Sequence, residues 1–315
     1  GFLNETTKDS LQELPLGLNY SPESHREGIA TYFRAYLQGF MKEWVNNPQN
    51  TKPNGEKYNI YKDGLKIYTT LDSRMQTFAE TATKEHMANL QAEFFVQNTP
   101  RRNRTAPFLD LEPEEITSLL NSSMRRSERW RKMKYDLKKP NKEIIASFEK
   151  PAPMKIFSWT APNNEIDTVM TPLDSMRYYK TFLRAGMMSM NPQTGHVKAW
   201  VGGVNYKHFQ YDMAKQGKRQ VGSTFKPFVY AAAIDQLHLS PCDTFPKSQI
   251  TIEAMKHGNM KPWSPKNSGG NYGGFETLKS ALANSRNTIT ARLMNEIGPQ
   301  PVINLARSLG VEQNI

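Results

Sequence analysis

Cysteine is almost absent from this sequence, since Cys242 is the only one among 315 residues. A single thiol excludes a disulfide framework within the chain and any zinc site built from cysteines. No run of 18 apolar residues occurs, so these residues hold no ordinary transmembrane helix. The mean hydropathy of -0.67 likewise excludes a polytopic membrane protein.

Signatures of metal and cofactor binding are missing as well. The six histidines are scattered, and no pair has the i,i+4 or His-x-His spacing that places two imidazoles on one metal. Neither the GxGxxG dinucleotide pattern nor a phosphate-binding P-loop is present. The sequence therefore predicts neither a metal nor a cofactor.

Acidic residues are outnumbered, with 30 Asp and Glu against 41 Lys and Arg, which gives a net charge of +11. Residues 101–142 carry over half of that excess, with 12 basic and six acidic residues. Only Trp130 and Tyr135 interleave with the densest run, so we expect no nucleic-acid site. We interpret residues 97–150 as an inserted helical segment with a solvated basic face. The alternatives are an anionic membrane surface or wall polymer, or docking of cell-wall assembly proteins.

Hydrophobic spacing and turn residues predict a mixed α and β fold. The predicted strands are Leu65–Thr70, Met154–Trp159, and a hairpin of Gly186–Met190 with Val197–Val201. The predicted helices are 27–46, 73–95, Pro172–Leu183, Phe275–Ala283, Thr288–Ile297 and Pro301–Leu309. Asp72 is the expected N-cap of the helix 73–95. Residues 219–233 are predicted to be a loop that leads into a further helix.

One short motif carries chemistry, the tetrad Ser223-Thr-Phe-Lys226, which Pro227 follows. Pro227 fits a helix only in its first turn, which places Ser223 at a helix N-terminus with Lys226 on the same face. A partly dehydrated lysine can be neutral and remove the proton that makes a serine a poor nucleophile. The helix N-terminus would stabilise an oxyanion. Taken alone, the tetrad is more often a helix-capping serine beside an exposed lysine.

A second motif, Ser285-Arg286-Asn287, lies in the break between two predicted helices. The simplest interpretation is an N-cap for the second helix. In a turn that faces a cleft, Ser285 could instead pass a proton between Lys226 and a leaving amine, while Asn287 binds a substrate amide.

Six stretches together resemble class A, bifunctional penicillin-binding proteins, a family whose S-x-x-K signature is a known motif. Arg219–Phe228 resembles the active-site block, and Trp263–Asn267 resembles a W-x-P-x-N strip that makes Trp263 and Asn267 candidate substrate-binding residues. The other four are the hairpin Met190–Gly203, the S-x-N block Phe275–Asn287, the linker Gly64–Gln76, and Leu14–Tyr20, which is similar to the end of a glycosyltransferase domain.

The resemblance implies an α+β fold of the penicillin-binding, β-lactamase-like serine transpeptidase type: an incomplete domain with an antiparallel sheet and helices, plus a mostly helical linker region. The implied boundaries are 1–60 for the glycosyltransferase end and linker, 61–184 for the linker and start of the transpeptidase region, and 185–315 for the N-terminal half of the transpeptidase domain.

The resemblance also implies a function. Ser223, Lys226, Ser285 and Asn287 would cross-link peptidoglycan stem peptides ending in D-Ala-D-Ala, and β-lactam antibiotics would acylate Ser223. The parent protein would be anchored in a bacterial cytoplasmic membrane, with its catalytic part facing the periplasm or exterior, and would also carry glycosyltransferase activity. No cofactor or metal is implied.

Two departures from the family pattern bear on these expectations. No K-T-G or K-S-G follows Asn287, and the sequence opens at Gly1 without Met, so we expect a piece of a longer protein that is a poor enzyme alone. The second motif is SRN rather than SDN, which favours a transpeptidase over a class A β-lactamase. A β-lactamase-type hydrolase and a non-catalytic interaction module remain the alternatives.

Overall fold

The computed structural model describes residues 3–13, 27–99 and 101–312. The chain divides into two compact units, residues 1–218 and residues 219–315. The stretch Leu14–Tyr20, which resembles the end of a glycosyltransferase domain, lies outside the described residues. Within those ranges, no helix is both long enough and apolar enough to cross a membrane.

The first unit contains seven helices and four strands among its described residues. The helices are α1 (Glu5–Gln12), α2 (Thr31–Asn46), α3 (Ser73–Gln97), α4 (Pro113–Arg125), α5 (Glu128–Arg131), which runs into a π turn at Lys132–Asp136, α6 (Asn141–Phe148) and α7 (Pro172–Lys180). The strands are β1 (Ala152–Phe157), β2 (Glu165–Met170), β3 (Met187–Met190) and β4 (Val197–Val201).

The second unit contains four helices and two short strands in the part of it that is described. They are α8 (Lys226–Leu237), β5 (Thr244–Pro246), β6 (Phe275–Thr277), α9 (Leu278–Ala283), α10 (Asn287–Ile297) and α11 (Pro299–Ser308). A 3₁₀ turn at Gly222–Phe225 leads directly into α8. Val229 of α8, Leu278 of α9, Leu293 of α10 and Val302 of α11 share one buried core.

The described strands form three separate two-stranded antiparallel ribbons: β1 with β2, β3 with β4, and β5 with β6. The predicted hairpin is confirmed, with Met187 opposite Val201 and Met190 opposite Val197. Strand β2 escaped sequence analysis because none of its side chains is fully buried, so its hydrophobic signal is weak. The α+β class follows from this mixture of helices and antiparallel ribbons.

Two predicted elements are wrong in type. Leu65–Thr70 is not a strand, because only its end contacts β4: the Thr70 hydroxyl donates to the Val197 carbonyl at 2.8 Å, without a ladder. The predicted helix Phe275–Ala283 begins only at Leu278, because the residues before it pair with β5 as strand β6.

Helix α3 is held by two buried glutamines. The Gln76 amide donates to the Trp200 carbonyl at 2.9 Å and accepts from the Trp200 N–H at 2.7 Å. Further along, the Gln91 amide donates to the Thr181 carbonyl at 2.9 Å and accepts from the Leu183 N–H at 2.8 Å. Because buried polar groups must be paired, these bonds fix the depth of α3 against β4 and the end of α7.

The basic segment has a core of its own. Met124, Trp130, Ile144 and Phe148 form a buried cluster. Leu173 of α7 packs against that cluster, so the segment is joined to the element that follows it. Its arginines and lysines are mostly exposed around this core, as a solvated basic face requires.

We predict that Gln76→Ala destabilises the protein by about 2–4 kcal/mol, because both backbone groups of Trp200 lose a buried partner. The free energy of unfolding from urea titration checks this. Thr77→Ala is the matched control, since Thr77 lies on the exposed side of the same helix turn and should change stability by less than about 0.5 kcal/mol. A Gln76→Ala loss no larger than that of the control would contradict the prediction.

Candidate active site

Lys226 is the first residue of α8 and is only 7% exposed. Its ammonium donates to the Ser285 carbonyl at 2.6 Å, to the Ser285 hydroxyl at 2.9 Å and to Asn287 Oδ1 at 2.6 Å. All three N–H donors of the ammonium therefore have a partner. Burial lowers the pKa of Lys226 below the ordinary lysine value, because a charged group is harder to keep away from water.

Ser285 and Asn287 reach Lys226 from the turn between α9 and α10. Ser285 has a φ of 53°, in the left-handed region that costs a side-chain-bearing residue free energy. The Arg286 N–H donates to the Ala281 carbonyl at 2.9 Å, which closes the end of α9. Asn287 begins α10, and its Nδ2 donates to the Lys266 carbonyl at 2.8 Å.

Ser223 lies in the 3₁₀ turn immediately before α8, and its side chain is exposed. Its carbonyl accepts the backbone N–H of Lys226. Among the described residues its hydroxyl has no hydrogen-bond partner. Gly222 before it has a φ of 53°, a conformation that glycine adopts without steric cost, and this lets the chain turn sharply into the serine.

One cavity of about 500 Å³ is lined by Ser223, Lys226 and Asn287 together. Trp263 lies on its wall with 54% of its surface exposed. The backbone of Trp263 is fixed by a two-way bridge to Ile252, with N–H to O distances of 2.8 and 2.9 Å. The lining is Gly222, Ser223, Lys226, Val229, Trp263, Ser264, Pro265, Lys266, Asn287, Thr290, Ala291 and Met294. An apolar wall beside an exposed hydroxyl and a buried amine suits a peptide-like ligand.

Asn267 does not occupy the position expected of a substrate-binding residue. It is 6% exposed and is not part of the cavity lining. Its Oδ1 accepts the Thr288 N–H at 3.1 Å, and its Nδ2 donates to the Thr288 hydroxyl and to the Asn271 carbonyl, both at 3.1 Å. With its amide occupied in this way, Asn267 fixes the start of α10 rather than facing a ligand.

The two sequence motifs thus meet in one place. Lys226, Ser285 and Asn287 are in direct contact, and Ser223 and Trp263 share the cavity that Lys226 and Asn287 line. Glu276, whose carboxylate binds the Arg286 side chain at 2.8 Å, belongs to neither of the two short sequence motifs. A lone acid in a short strand carried no signal of its own. In the part of the chain that the structure describes, no cluster of three metal-ligating side chains exists.

Comparison with protein families gives two matches in sequence order. Residues 103–183 match the penicillin-binding protein middle domain, and residues 185–315 match the penicillin-binding protein transpeptidase domain. The first match covers most of the basic segment, residues 97–150, which contains none of the short motifs described above.

Several curated proteins are similar over much of the chain. A penicillin-binding protein 1A of Neisseria flavescens is 28% identical over 276 residues, which is 77% of this chain and 32% of that protein. One from Rickettsia bellii is 28% identical over 280 residues, 82% of this chain and 34% of that protein. One from Neisseria cinerea is 38% identical over 116 residues, 37% of this chain and 14% of that protein.

The fold is also similar to a solved structure. The crystal structure of penicillin-binding protein 1A from Haemophilus influenzae matches with a TM-score of 0.57 and 20% sequence identity. The match covers 98% of this chain and 45% of that one. This chain therefore spans at most about a third of the length of these curated relatives and under half of the solved structure.

We predict that Asn267→Ala lowers the free energy of unfolding by about 2–3 kcal/mol, because the buried Thr288 N–H loses its acceptor. Urea titration measures the change. Asn271→Ala is the control: that side chain is exposed, and its loss should change stability by less than about 0.5 kcal/mol. If Asn267→Ala left stability unchanged and altered only ligand affinity, the structural role assigned here would be refuted.

Proposed function

Because this chain belongs to the penicillin-binding proteins, we propose that it carries the D,D-transpeptidase centre that cross-links peptidoglycan stem peptides, with Ser223 as the nucleophile. The observation that carries the proposal is the position of Lys226. A buried amine with a lowered pKa is held by the S-x-N residues on the cavity that Ser223 also lines.

The proposed reaction is an acyl transfer in two steps. Ser223 Oγ attacks the carbonyl of the D-Ala-D-Ala bond, Lys226 as the neutral amine accepts the hydroxyl proton, and a C–O bond forms. The C–N bond then breaks, and the departing D-Ala amine receives the proton. An amine of a second stem peptide then attacks the acyl-enzyme: a new C–N bond forms, the C–O bond to Ser223 breaks, and the proton of the amine goes to Ser223 Oγ.

The other residues of the site have distinct proposed roles. Ser285 passes the proton from Lys226 to the leaving amine, since its hydroxyl already contacts Lys226 at 2.9 Å. Asn287 holds Lys226 and presents its amide at the cavity. Trp263 offers an exposed indole face against which the stem peptide packs. The turn before α8 offers the backbone N–H of Ser223 for the developing oxyanion, because the Lys226 N–H already donates to the Ser223 carbonyl and Pro227 has no N–H.

The remaining proposals concern the whole protein. We propose that the full-length gene product is bifunctional, with glycosyltransferase activity, and that it is anchored in the cytoplasmic membrane with this region on the periplasmic or outer side. β-Lactam antibiotics would acylate Ser223, because they present an amide carbonyl to the same nucleophile. The exposed basic face of residues 97–150 is proposed to contact wall-assembly proteins or anionic wall polymer.

Labelling with a fluorescent penicillin tests the nucleophile. We expect the full-length gene product to form a covalent adduct that peptide mapping assigns to Ser223, and Ser223→Ala to lose labelling completely. Thr224→Ala, the exposed neighbouring hydroxyl, should label at the parental rate. A labelled Ser223→Ala variant would contradict the assignment, and rapid hydrolysis of the adduct by water would favour a β-lactamase-type enzyme instead.

The pH dependence of labelling tests Lys226. Only the neutral amine accepts a proton, so the rate should rise with pH as Lys226 loses its charge, with a midpoint below the ordinary lysine pKa because burial lowers that pKa. Lys226→Arg stays charged and should label about 10²–10⁴ times more slowly. Lys279→Arg, an exposed lysine of α9, should leave the rate and profile unchanged. An unchanged rate in Lys226→Arg would exclude Lys226 as the base.

A further inference from the structure

Glu276 of β6 makes an unusual number of contacts around the turn that carries Ser285. Its Oε2 accepts Arg286 Nε at 2.8 Å. Its Oε1 accepts the Ser280 hydroxyl at 2.6 Å and Asn284 Nδ2 at 3.0 Å. The side chain of Glu276 is 10% exposed and that of Arg286 is 18% exposed, so the ion pair is largely shielded from water.

The three donors lie on both sides of Ser285. Ser280 and Asn284 belong to α9 and its end, and Arg286 immediately follows Ser285. Ser285 has the left-handed φ of 53°, which a serine does not prefer, so neighbouring contacts must hold it there. Glu276 accepts hydrogen bonds from the side chains of Asn284 and Arg286, the residues on either side of Ser285, and thus acts as a clamp across this strained residue.

The same turn determines where Lys226 is held. Two of the three acceptors of the Lys226 ammonium are the carbonyl and hydroxyl of Ser285, at 2.6 and 2.9 Å. The third is Asn287, the residue directly after Arg286. A shift of the turn therefore moves every acceptor of Lys226 at once.

We propose that Glu276 is a positioning residue for acyl transfer: its carboxylate clamps Asn284 and Arg286 around Ser285, and so keeps Lys226 in the place from which it activates Ser223. This inference rests on the proposed transpeptidase function. The ionised state that the clamp needs is favoured in the fold. Burial raises the pKa of Glu276, but the hydrogen bonds from Ser280, Arg286 and Asn284, together with the charge of Arg286, outweigh it and lower the pKa below the usual glutamate range.

Glu276→Gln is the sharpest test because it preserves size. A carboxylate accepts at both oxygens, whereas an amide accepts at one and turns an NH₂ toward the other donors. Either Arg286 or the Ser280 and Asn284 pair then loses its acceptor. We expect the plateau rate of fluorescent-penicillin labelling to fall about 10- to 100-fold, the effect expected when a reacting group is misplaced by about 1 Å.

The pH profile separates positioning from general destabilisation. Once its acceptors are no longer well placed, the buried ammonium of Lys226 becomes less favourable, so the pKa of Lys226 falls further. The rising limb of the rate against pH should therefore move to lower pH in Glu276→Gln, while the plateau is reduced. A variant that is merely less stable would keep the midpoint of the parent.

Arg286→Gln removes the other half of the clamp and should produce the same fall, and the double variant should be little slower than either single one. Glu296→Gln is the matched control, an exposed glutamate on α10 that should label normally.

Each labelling rate is divided by the final amount of penicillin bound, so that only folded, active molecules enter the comparison. Parental rate and midpoint in both clamp variants would overturn this inference alone, whereas an unlabelled parent would overturn the proposed function.

Discussion

A lysine ammonium that has left water must find an acceptor for each of its protons, and the region around Lys226 is arranged to supply them. Lys226 is 7% exposed, and its three partners come from only two residues, Ser285 and Asn287. Leaving a buried charge unpaired costs several kcal/mol. The turn between α9 and α10 is therefore under a strict geometric constraint: it must place a carbonyl, a hydroxyl and an amide oxygen around one nitrogen.

Two anchors on opposite sides of the turn meet that constraint. On the side of α9 and β6, Glu276 binds Asn284 and Arg286. On the side of α10, Asn267 accepts the N–H of Thr288, which is fully buried. The strained φ of Ser285 is thus enclosed between two groups of hydrogen bonds that do not share a residue. Strain at a functional position persists when the surrounding contacts over-determine it, and these contacts provide that determination.

The sequence predicted the members of this centre better than their arrangement. Pro227 placed the tetrad at a helix start, and the break at Asn284 and Ser285 was visible from the residues alone. The direction in which Lys226 points is a tertiary property, and so are the roles of Asn267 and Glu276, which depend on partners 21 and 10 residues away. For the same reason Leu65–Thr70 and β6 were assigned wrongly, since strand pairing is decided by the partner rather than by local spacing.

Deprotonation of Lys226 changes this arrangement in a definite way. The ammonium has three donors, but the neutral amine has two donors and one lone pair, so it can donate to only two of its three partners. The Ser285 carbonyl and Asn287 Oδ1 can only accept. The Ser285 hydroxyl is different, because it can rotate and donate its own proton to the lone pair. Of the three partners, only this hydroxyl can bond to Lys226 either as an acceptor or as a donor.

That property gives Ser285 a physical reason to act as the proton relay. When the lone pair turns toward Ser223, the Ser285 hydroxyl is released without stranding a buried group, since Ser285 is exposed to solvent. In the proposed reaction, once Lys226 has taken the proton of Ser223, the Ser285 hydroxyl would accept from Lys226 again and pass its own proton toward the leaving amine. The carbonyl and the amide meanwhile keep Lys226 in place. One exposed, reversible partner and two fixed acceptors are therefore sufficient for the lysine to change charge without leaving its position.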